Sequence, residues 1–403
     1  MLRAVGTGRR IGGPRPRLSG SVMNELWQPR REASGTVATP LHPRTVVFLG
    51  TAHDGGGSSV LASTLASAMR AEGHHVEEWY LFGSYADVPP GARVFLNRRR
   101  SRSPITLAVL FARAVKALRA LKPDAVFGLQ PLSNLLAAVA GALAGVRHRV
   151  GTHHLPYDQF NPVLMKFDGV AGRVGLYSDL VACGHSVADT YRHNGEAYMQ
   201  RLKVIPNGHR KPVPADRAAA RAAFGLPPKG AVLGQLGRLY HQKNQSFSIG
   251  LLRDLPGTPL LIVGSGPDED LVRSEIGSRG YEDRVRLQLH LDHARIGEFY
   301  SAIDAVLFPS SFEGLSLAAI EAIHAGVPLI CSDIPSFREM FRDSPLLAGQ
   351  LIVPLGDREA WLERIRSIAG DGTLRAQIVS ELRRLSPRYA FETMSAKYLA
   401  LLD

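Results

Sequence analysis

From Thr45 onward, short apolar and β-branched runs alternate with longer stretches whose apolar positions recur at helical spacing. The strand-like runs fall at 45–49, 76–80, 125–127, 148–151, 180–182 and 203–205, and the helical stretches at 60–72, 105–121 and 132–144. Strands separated by helices predict a parallel sheet. The series stops at Pro206-Asn207-Gly208, with Pro212 and Pro214 close behind, a run that reads as a linker. A second series opens at 232–235 and continues through 260–263, 285–287, 305–307 and 327–330, each run followed by a helical pattern. The expected fold class is α/β, with two doubly wound, Rossmann-like domains facing each other across a cleft. The expected units are a basic tail over 1–43, a first domain over 44–208, a second over 209–386, and a terminal helix over 387–403 that carries Met394, Tyr398 and Leu401. Ligands of such sheets bind outside the carboxyl ends of the strands, so each strand-to-helix loop is a candidate site. No short internal repeat is visible, which argues against a solenoid.

Composition narrows the classes. With 403 residues, 45% hydrophobic and 21% charged, the chain has an ordinary globular balance and enough length for two cores. The net charge of +12 would suit nucleic acid, diphosphates or anionic lipid. Half of that excess lies in residues 1–44, where eight arginines face Glu25 and Glu32. That segment is rich in Gly, Pro and Ser, has no apolar core of secretory length, and reads as a disordered tail. No nucleic-acid recognition motif or aromatic stacking platform is present, so nucleic acid is not an expected partner. Cys183 and Cys331 stand far apart without a C-x-x-C partner, which predicts two buried, inert thiols and a reducing compartment. The longest apolar run, 135–146, falls short of the roughly 18 to 20 residues a membrane span requires. A cytoplasmic protein, or one peripheral on the inner face of the membrane, is expected.

Three loops carry chemistry. His53-Asp54-Gly55-Gly56-Gly57-Ser58 follows the first strand and opens a helix, so backbone N–H groups at Gly56 and Gly57 could approach a phosphate. It lacks the lysine that a P-loop ATPase needs before Ser58 or Ser59. The second loop sets Arg238 and Lys243 at the start of a helix directly after the first strand of the second domain. Arg clamps phosphate oxygens bidentately and Lys adds a movable point charge. The third loop runs Pro309-Ser310-Ser311-Phe312-Glu313-Gly314-Leu315-Ser316-Leu317 and leads into a helix containing Glu321. Eight residues separate Glu313 from Glu321, about two helical turns, so both carboxylates can face one cleft. Gly314 permits close backbone approach, and the N–H groups of Leu315, Ser316 and Leu317 would point toward an anion.

Arg238, Lys243 and the segment from Glu313 to Glu321 resemble the donor-site signature of retaining GT-B glycosyltransferases of family 4. Val263-Gly264-Ser265-Gly266-Pro267, Val204-Ile205-Pro206-Asn207-Gly208 and Ala325-Gly326-Val327-Pro328 add to the likeness, which extends from about Thr45 to the C-terminus. The resemblance implies a hexosyltransferase that takes a UDP- or GDP-hexose as donor and a saccharide or lipid-linked acceptor, in bacterial polysaccharide or glycolipid synthesis. It implies Glu321 on the ribose hydroxyls, Glu313 on the donor-sugar hydroxyls, and Arg238 with Lys243 on the diphosphate. Gly56 and Gly57 would close over the phosphates, and the terminal helix would cross back onto the first domain. Family members often carry a Thr-x-His element near the transferred sugar, and Thr152-His153-His154 gives His154 that position. Adjacent histidines lack a third ligand at zinc-site spacing.

The resemblance implies no divalent cation and no other cofactor. Asp268-Glu269-Asp270 fits the D-x-D pattern of metal-bound donors, yet it stands at a predicted helix start, where acids favour the helix dipole without a metal. In the first domain, Asn97-Arg98-Arg99-Arg100-Ser101-Arg102 precedes a helix carrying Arg113, Lys116 and Arg119. A basic amphipathic stretch of this kind suits anionic lipid or a phosphate-bearing acceptor, and equally an ordinary packing helix. Two other functions remain open on sequence alone: a sugar-nucleotide epimerase on the same fold, and a non-catalytic sugar-nucleotide-binding protein.

Overall fold

A computed structural model describes residues 42–53, 56–83, 88–96 and 103–403. The basic tail, the Asp54-Gly55 pair and the run from Asn97 to Arg102 lie outside the described residues.

The first sheet has seven parallel strands: β1 Thr45–Ala52, β2 His75–Phe82, β3 Arg93–Leu96, β4 Ala125–Gly128, β5 His148–His153, β6 Asp179–Ala182 and β7 Leu202–Val204. Their spatial order is β3-β2-β1-β4-β5-β6-β7. The second sheet has six: β8 Leu233–Leu236, β9 Leu260–Val263, β10 Val285–Gln288, β11 Ala305–Phe308, β12 Leu329–Ser332 and β13 Ile352–Val353, in the order β10-β9-β8-β11-β12-β13. Central strands such as Leu260–Val263 and Ala305–Phe308 are buried at every position, because helices cover both faces. The α/β architecture of two doubly wound sheets agrees with the sequence reading. Two short strands were not foreseen. Arg93–Leu96 is an edge strand, and Ile352–Val353 has only two residues.

Both sheets reverse strand order at one point, β1/β4 in the first and β8/β11 in the second. Those switch points are where open α/β sheets bind ligands. The loops after β1, β8 and β11 are the three that carry Gly56 and Gly57, Arg238 and Lys243, and Glu313 to Leu317.

The chain ends on the first domain. Helix Phe391–Leu399 buries Phe391, Met394 and Tyr398 together with Val46, Phe48 and Phe127, and Leu401 and Leu402 join the same cluster. Beside it, the His209 amide donates to the Tyr389 carbonyl at 3.0 Å, which ties the linker to the returning segment. Among the described residues no helix is long and apolar enough to cross a membrane.

Candidate active site

The loop after β8 is held in shape by its backbone. The Gly237 amide donates to Val263 O at 3.0 Å, the Leu239 amide to Ser265 O at 3.0 Å, and the Asp268 amide to Leu239 O at 3.1 Å. A Cβ on Gly264 would stand 1.9 Å from the Gly237 carbonyl oxygen, so only glycine lets the two loops approach this closely. The 263–267 segment is therefore a clamp on the loop that carries Arg238. Gln245 Nε2 donates to the Arg238 carbonyl at 2.9 Å and Gln235 Nε2 to the Lys243 carbonyl at 2.7 Å, which fixes both cation-bearing residues from below. The Arg238 guanidinium lies 5.9 Å from the centre of the Tyr240 ring.

Lys243 reaches the loop after β11. Its ammonium donates to Glu313 Oε1 at 2.5 Å; Ser310 Oγ donates to the same oxygen at 2.8 Å, and Gln242 Nε2 to Oε2 at 3.2 Å. Gln242 also donates to the Phe312 carbonyl at 2.8 Å, so the two loops are stitched together around the ion pair.

Helix Leu317–Ala325 begins beyond that loop without a side-chain cap from Ser316, and helix Gly57–Ala71 begins after Gly56, which has no side chain to offer. A Cβ on Gly57 would lie 3.7 Å from Leu317 Cδ1, so the two helix starts meet across the domain boundary. Each N-terminus is equivalent to about half a positive charge and carries N–H groups with no partner inside the helix. Two such ends, with Lys243 between the loops, make a site for an anion.

The Leu315 carbonyl accepts from Asn207 Nδ2 at 2.9 Å, so Leu315 is a tie between the domains. Ser316 and Leu317 open the helix. Gly314 lies against the first domain, where a Cβ would stand 1.9 Å from the His154 carbonyl oxygen. Both cysteines are buried, and burial pushes the Cys183 thiol up to about 12, so it stays protonated.

The adjacent histidines have different surroundings. His153 is buried in the first domain, 2.8 Å from the Tyr198 hydroxyl, whose own proton goes to Asp168 Oδ2 at 2.7 Å. His154 is half-buried beside Gly314, with Nε2 2.9 Å from Thr152 Oγ1. Thr152 gives its proton to the Gly128 carbonyl at 2.7 Å, so its oxygen accepts from His154 Nε2–H and leaves Nδ1 as an acceptor. Burial, and then the neighbouring His153, push His154 down to about 4, which keeps the ring neutral.

Glu321 is buried beside Tyr300 and His209. The Tyr300 hydroxyl shares one proton between Ala318 O at 2.7 Å and Glu321 Oε2 at 3.2 Å, so its hold on the carboxyl is weak. Burial outweighs that bond and pushes Glu321 up to about 8. His209 Nδ1 lies 2.9 Å from the Arg210 carbonyl and carries the proton, so Nε2 turns a lone pair to Glu321 Oε1 at 3.5 Å. Burial, and then His293, push His209 down to about 4. The ligand atoms of His209, His293 and Glu321 lie within 4.8 Å of one another, the one group among the described residues that could hold a metal ion. Asp268, Glu269 and Asp270 form no such group: Asp268 precedes helix Glu269–Ser278, and Glu269 pairs with Arg273 at 3.0 Å. The sequence alone assigns no role in the site to Gln242, His209, His293, Tyr300, Cys183 or Asn207. Each acts through contacts with residues remote in sequence.

Two family models match the chain. Glycosyltransferase Family 4 matches residues 55–209, and Glycosyl transferases group 1 matches residues 216–384. The chain is similar to the D-inositol 3-phosphate glycosyltransferase of Xylanimonas cellulosilytica, 26% identical over 87% of this chain and 91% of the relative. It is also similar to the phosphatidyl-myo-inositol mannosyltransferase of Mycobacterium leprae, 28% identical over 66% and 68% of the two chains. In fold it resembles HepE of Anabaena, solved in complex with UDP-glucose, at a TM-score of 0.76 over 89% of this chain and 99% of that one, with 19% identity.

Proposed function

The chain belongs to the group 1 glycosyl transferases, and from that premise we propose that it moves a hexosyl unit from a nucleotide sugar, a UDP- or GDP-hexose, to an acceptor hydroxyl with retention of configuration. The observation that carries this reading is the meeting of two helix N-termini, at Gly57 and Leu317, beside the loop that bears Arg238 and Lys243. A departing nucleoside diphosphate brings concentrated negative charge, and these groups neutralise it. Preorganised electrostatic stabilisation of this kind is worth about 10² to 10³ in rate per group.

Arg238, Lys243 and the amides of Gly56, Gly57, Leu315, Ser316 and Leu317 hold the diphosphate. Glu321 takes the ribose hydroxyls, and Glu313 takes hydroxyls of the transferred sugar. The acceptor oxygen bonds to the anomeric carbon on the face the diphosphate leaves. The bond from that carbon to the phosphate oxygen breaks with its electron pair on the oxygen, which then takes the acceptor's proton. No Asp or Glu is placed by motif as a covalent nucleophile on the opposite face: Glu313 and Glu321 are assigned to hydroxyls of the sugar and the ribose. The neutral His154 ring accepts a hydrogen bond from the sugar through Nδ1. No divalent cation is required, since protein cations and helix ends supply the charge.

The acceptors named for the relatives are an inositol phosphate and a phosphatidyl-inositol. They support a saccharide or lipid-linked acceptor, in bacterial polysaccharide or glycolipid synthesis, on the cytoplasmic side and beside an anionic membrane. Incubation with UDP- and GDP-hexoses plus such acceptors, read by NMR of the anomeric proton, tests the proposal. A glycoside with the donor's configuration supports it. Donor altered with no acceptor consumed points to an epimerase, and nucleotide bound without turnover points to a non-catalytic binding protein.

A further inference from the structure

Three helices cover one side of the first sheet. Helix Pro131–Ala144 packs on helix Pro104–Leu121 at one flank and on helix Pro162–Arg173 at the other. The buried sides are ordinary: Leu110, Ala114 and Leu118 of the first helix pack with Ala137 and Ala140 of the middle one over Val47 and Val126 of the sheet.

The outer sides are not ordinary. Helix Pro162–Arg173 and its cap expose Val163, Phe167, Val170 and Val174, with Phe167 at 62%, a stripe at helical spacing turned to solvent. Helix Pro104–Leu121 exposes Val109 and Ile105, the latter at 77%, and the middle helix exposes Leu143. Of the ten large apolar residues exposed among the described residues, seven belong to these three helices and the cap of the third.

The charge on the same face has one sign. Arg113, Lys116 and Arg119 stand on the first helix, Lys166 and Arg173 on the third. The only acid in all three helices is Asp168, fully buried where it accepts from the Tyr177 and Tyr198 hydroxyls. Elsewhere exposed arginines pair with acids, as Arg192 does with Asp189, Arg295 with Glu298 and Arg384 with Glu381. Here none of the five cations has an ion pair among the described residues. Arg113 donates to the Phe95 carbonyl at 2.6 Å, Arg119 to the Leu143 carbonyl at 3.2 Å and Arg173 to the Gly169 carbonyl at 3.2 Å, contacts that leave the charge uncompensated.

Exposed apolar side chains beside unneutralised cations are what an interfacial surface needs. The apolar groups enter the boundary between headgroups and acyl chains, while Lys and Arg remain at the level of the phosphates. A protein partner or a second copy of this chain would have to meet an acid-free surface of helix backs, and such cationic faces repel each other. We propose that the outer face of helices Pro104–Leu121, Pro131–Ala144 and Pro162–Arg173 docks on a bilayer surface rich in anionic phospholipid. The lipid-borne acceptor proposed above gives this face its purpose, but binding to lipid does not depend on which donor is used.

Co-sedimentation of the full chain with vesicles tests this, using phosphatidylcholine alone and phosphatidylcholine mixed equally with phosphatidylglycerol. The expected result is binding to the anionic vesicles at least about tenfold tighter than to the neutral ones, falling steeply with added salt. Phe167→Ser with Val170→Ser should weaken that binding about tenfold or more. Lys116→Glu with Lys166→Glu should abolish the preference for anionic lipid. Both variants should keep the wild-type melting transition and nucleotide affinity, which separates this proposal from failure of the donor reading. No binding of wild type to anionic vesicles overturns it. So does binding unaffected by both variants, which would assign the attachment to the arginine-rich first 44 residues, or a stable dimer that Phe167→Ser dissociates.

Discussion

The Lys243 ammonium stands 2.5 Å from a carboxylate oxygen of Glu313, with the two side chains 16% and 5% exposed. Each neutralises the other. On the roles proposed above, an incoming diphosphate would compete with Glu313 for the cation and free the carboxylate for sugar hydroxyls, so that donor binding would be an exchange of partners.

That exchange makes a sharp expectation for Glu313→Gln. Without a competing carboxylate, Lys243 should hold a nucleoside diphosphate a few-fold more tightly, while turnover falls by about 10² or more because the sugar loses its acceptor. Lys243→Ala should lose both affinity and turnover, and both variants should stay folded by circular dichroism. Full activity in either would exclude the assigned roles.

Glu321 gives the site a pH dependence. Its carboxyl is pushed up to about 8 by burial, whereas ribose hydroxyls donate to the ionised form. The carboxyl must therefore lose a proton when nucleotide binds, so affinity should weaken as pH falls below about 8, by at most about tenfold per unit, and level off above. The groups that face it do not titrate there: His209 is held down to about 4, His293 is lowered by burial, and Tyr300 is raised well above its ordinary value. Glu321→Gln should flatten the slope, as read by calorimetry across pH. Stability follows the raised folded pKa. The unfolded chain ionises near 4.3, so raising pH from there toward 8 should favour unfolding, by up to about 1.4 kcal/mol per unit from this group.

Gly314→Ala sets a methyl where the His154 carbonyl oxygen would stand 1.9 Å away. The domains would have to part at that point. Turnover should fall by about tenfold or more, while nucleotide binding by the second domain is largely kept. An unchanged kcat would mean that this contact plays no part in the working conformation.

Much of this was legible because the carrying residues are close in sequence. The switch-point loops follow strands whose apolar runs are unmistakable, and Glu313 and Glu321 share one loop and helix. What stayed hidden depends on partners from afar. Cys183 reads as an inert core thiol until Gly314 of the other domain packs against it, and Asn207 reads as a turn residue until it donates to the Leu315 carbonyl. Glu339 gives no local signal, yet its carboxylate accepts from the His185 and Ser186 amides of the other domain, each at 2.7 Å. Helix Pro162–Arg173 escaped because its apolar stripe is exposed, while its buried side mixes Met165 and Ala171 with Asp168, Gly169 and Gly172, too few large apolar positions to mark a hydrophobic period.

Transfer should survive exhaustive treatment with EDTA, because Lys243, Arg238 and two helix ends supply the charge a metal would. Activity lost on chelation and restored by Mg²⁺ or Mn²⁺ would contradict this and turn attention to His209, His293 and Glu321.

The most direct test of the donor site is calorimetric titration of UDP, GDP, ADP and their hexose conjugates, without metal, into wild type and the Arg238→Ala/Lys243→Ala double variant. One nucleotide series should bind wild type selectively and lose at least about 100-fold in affinity in the variant, from two charge-assisted contacts of about 1.5 to 3 kcal/mol each. Equal affinity in both proteins, or no binding of any nucleotide to folded wild type, would contradict the account.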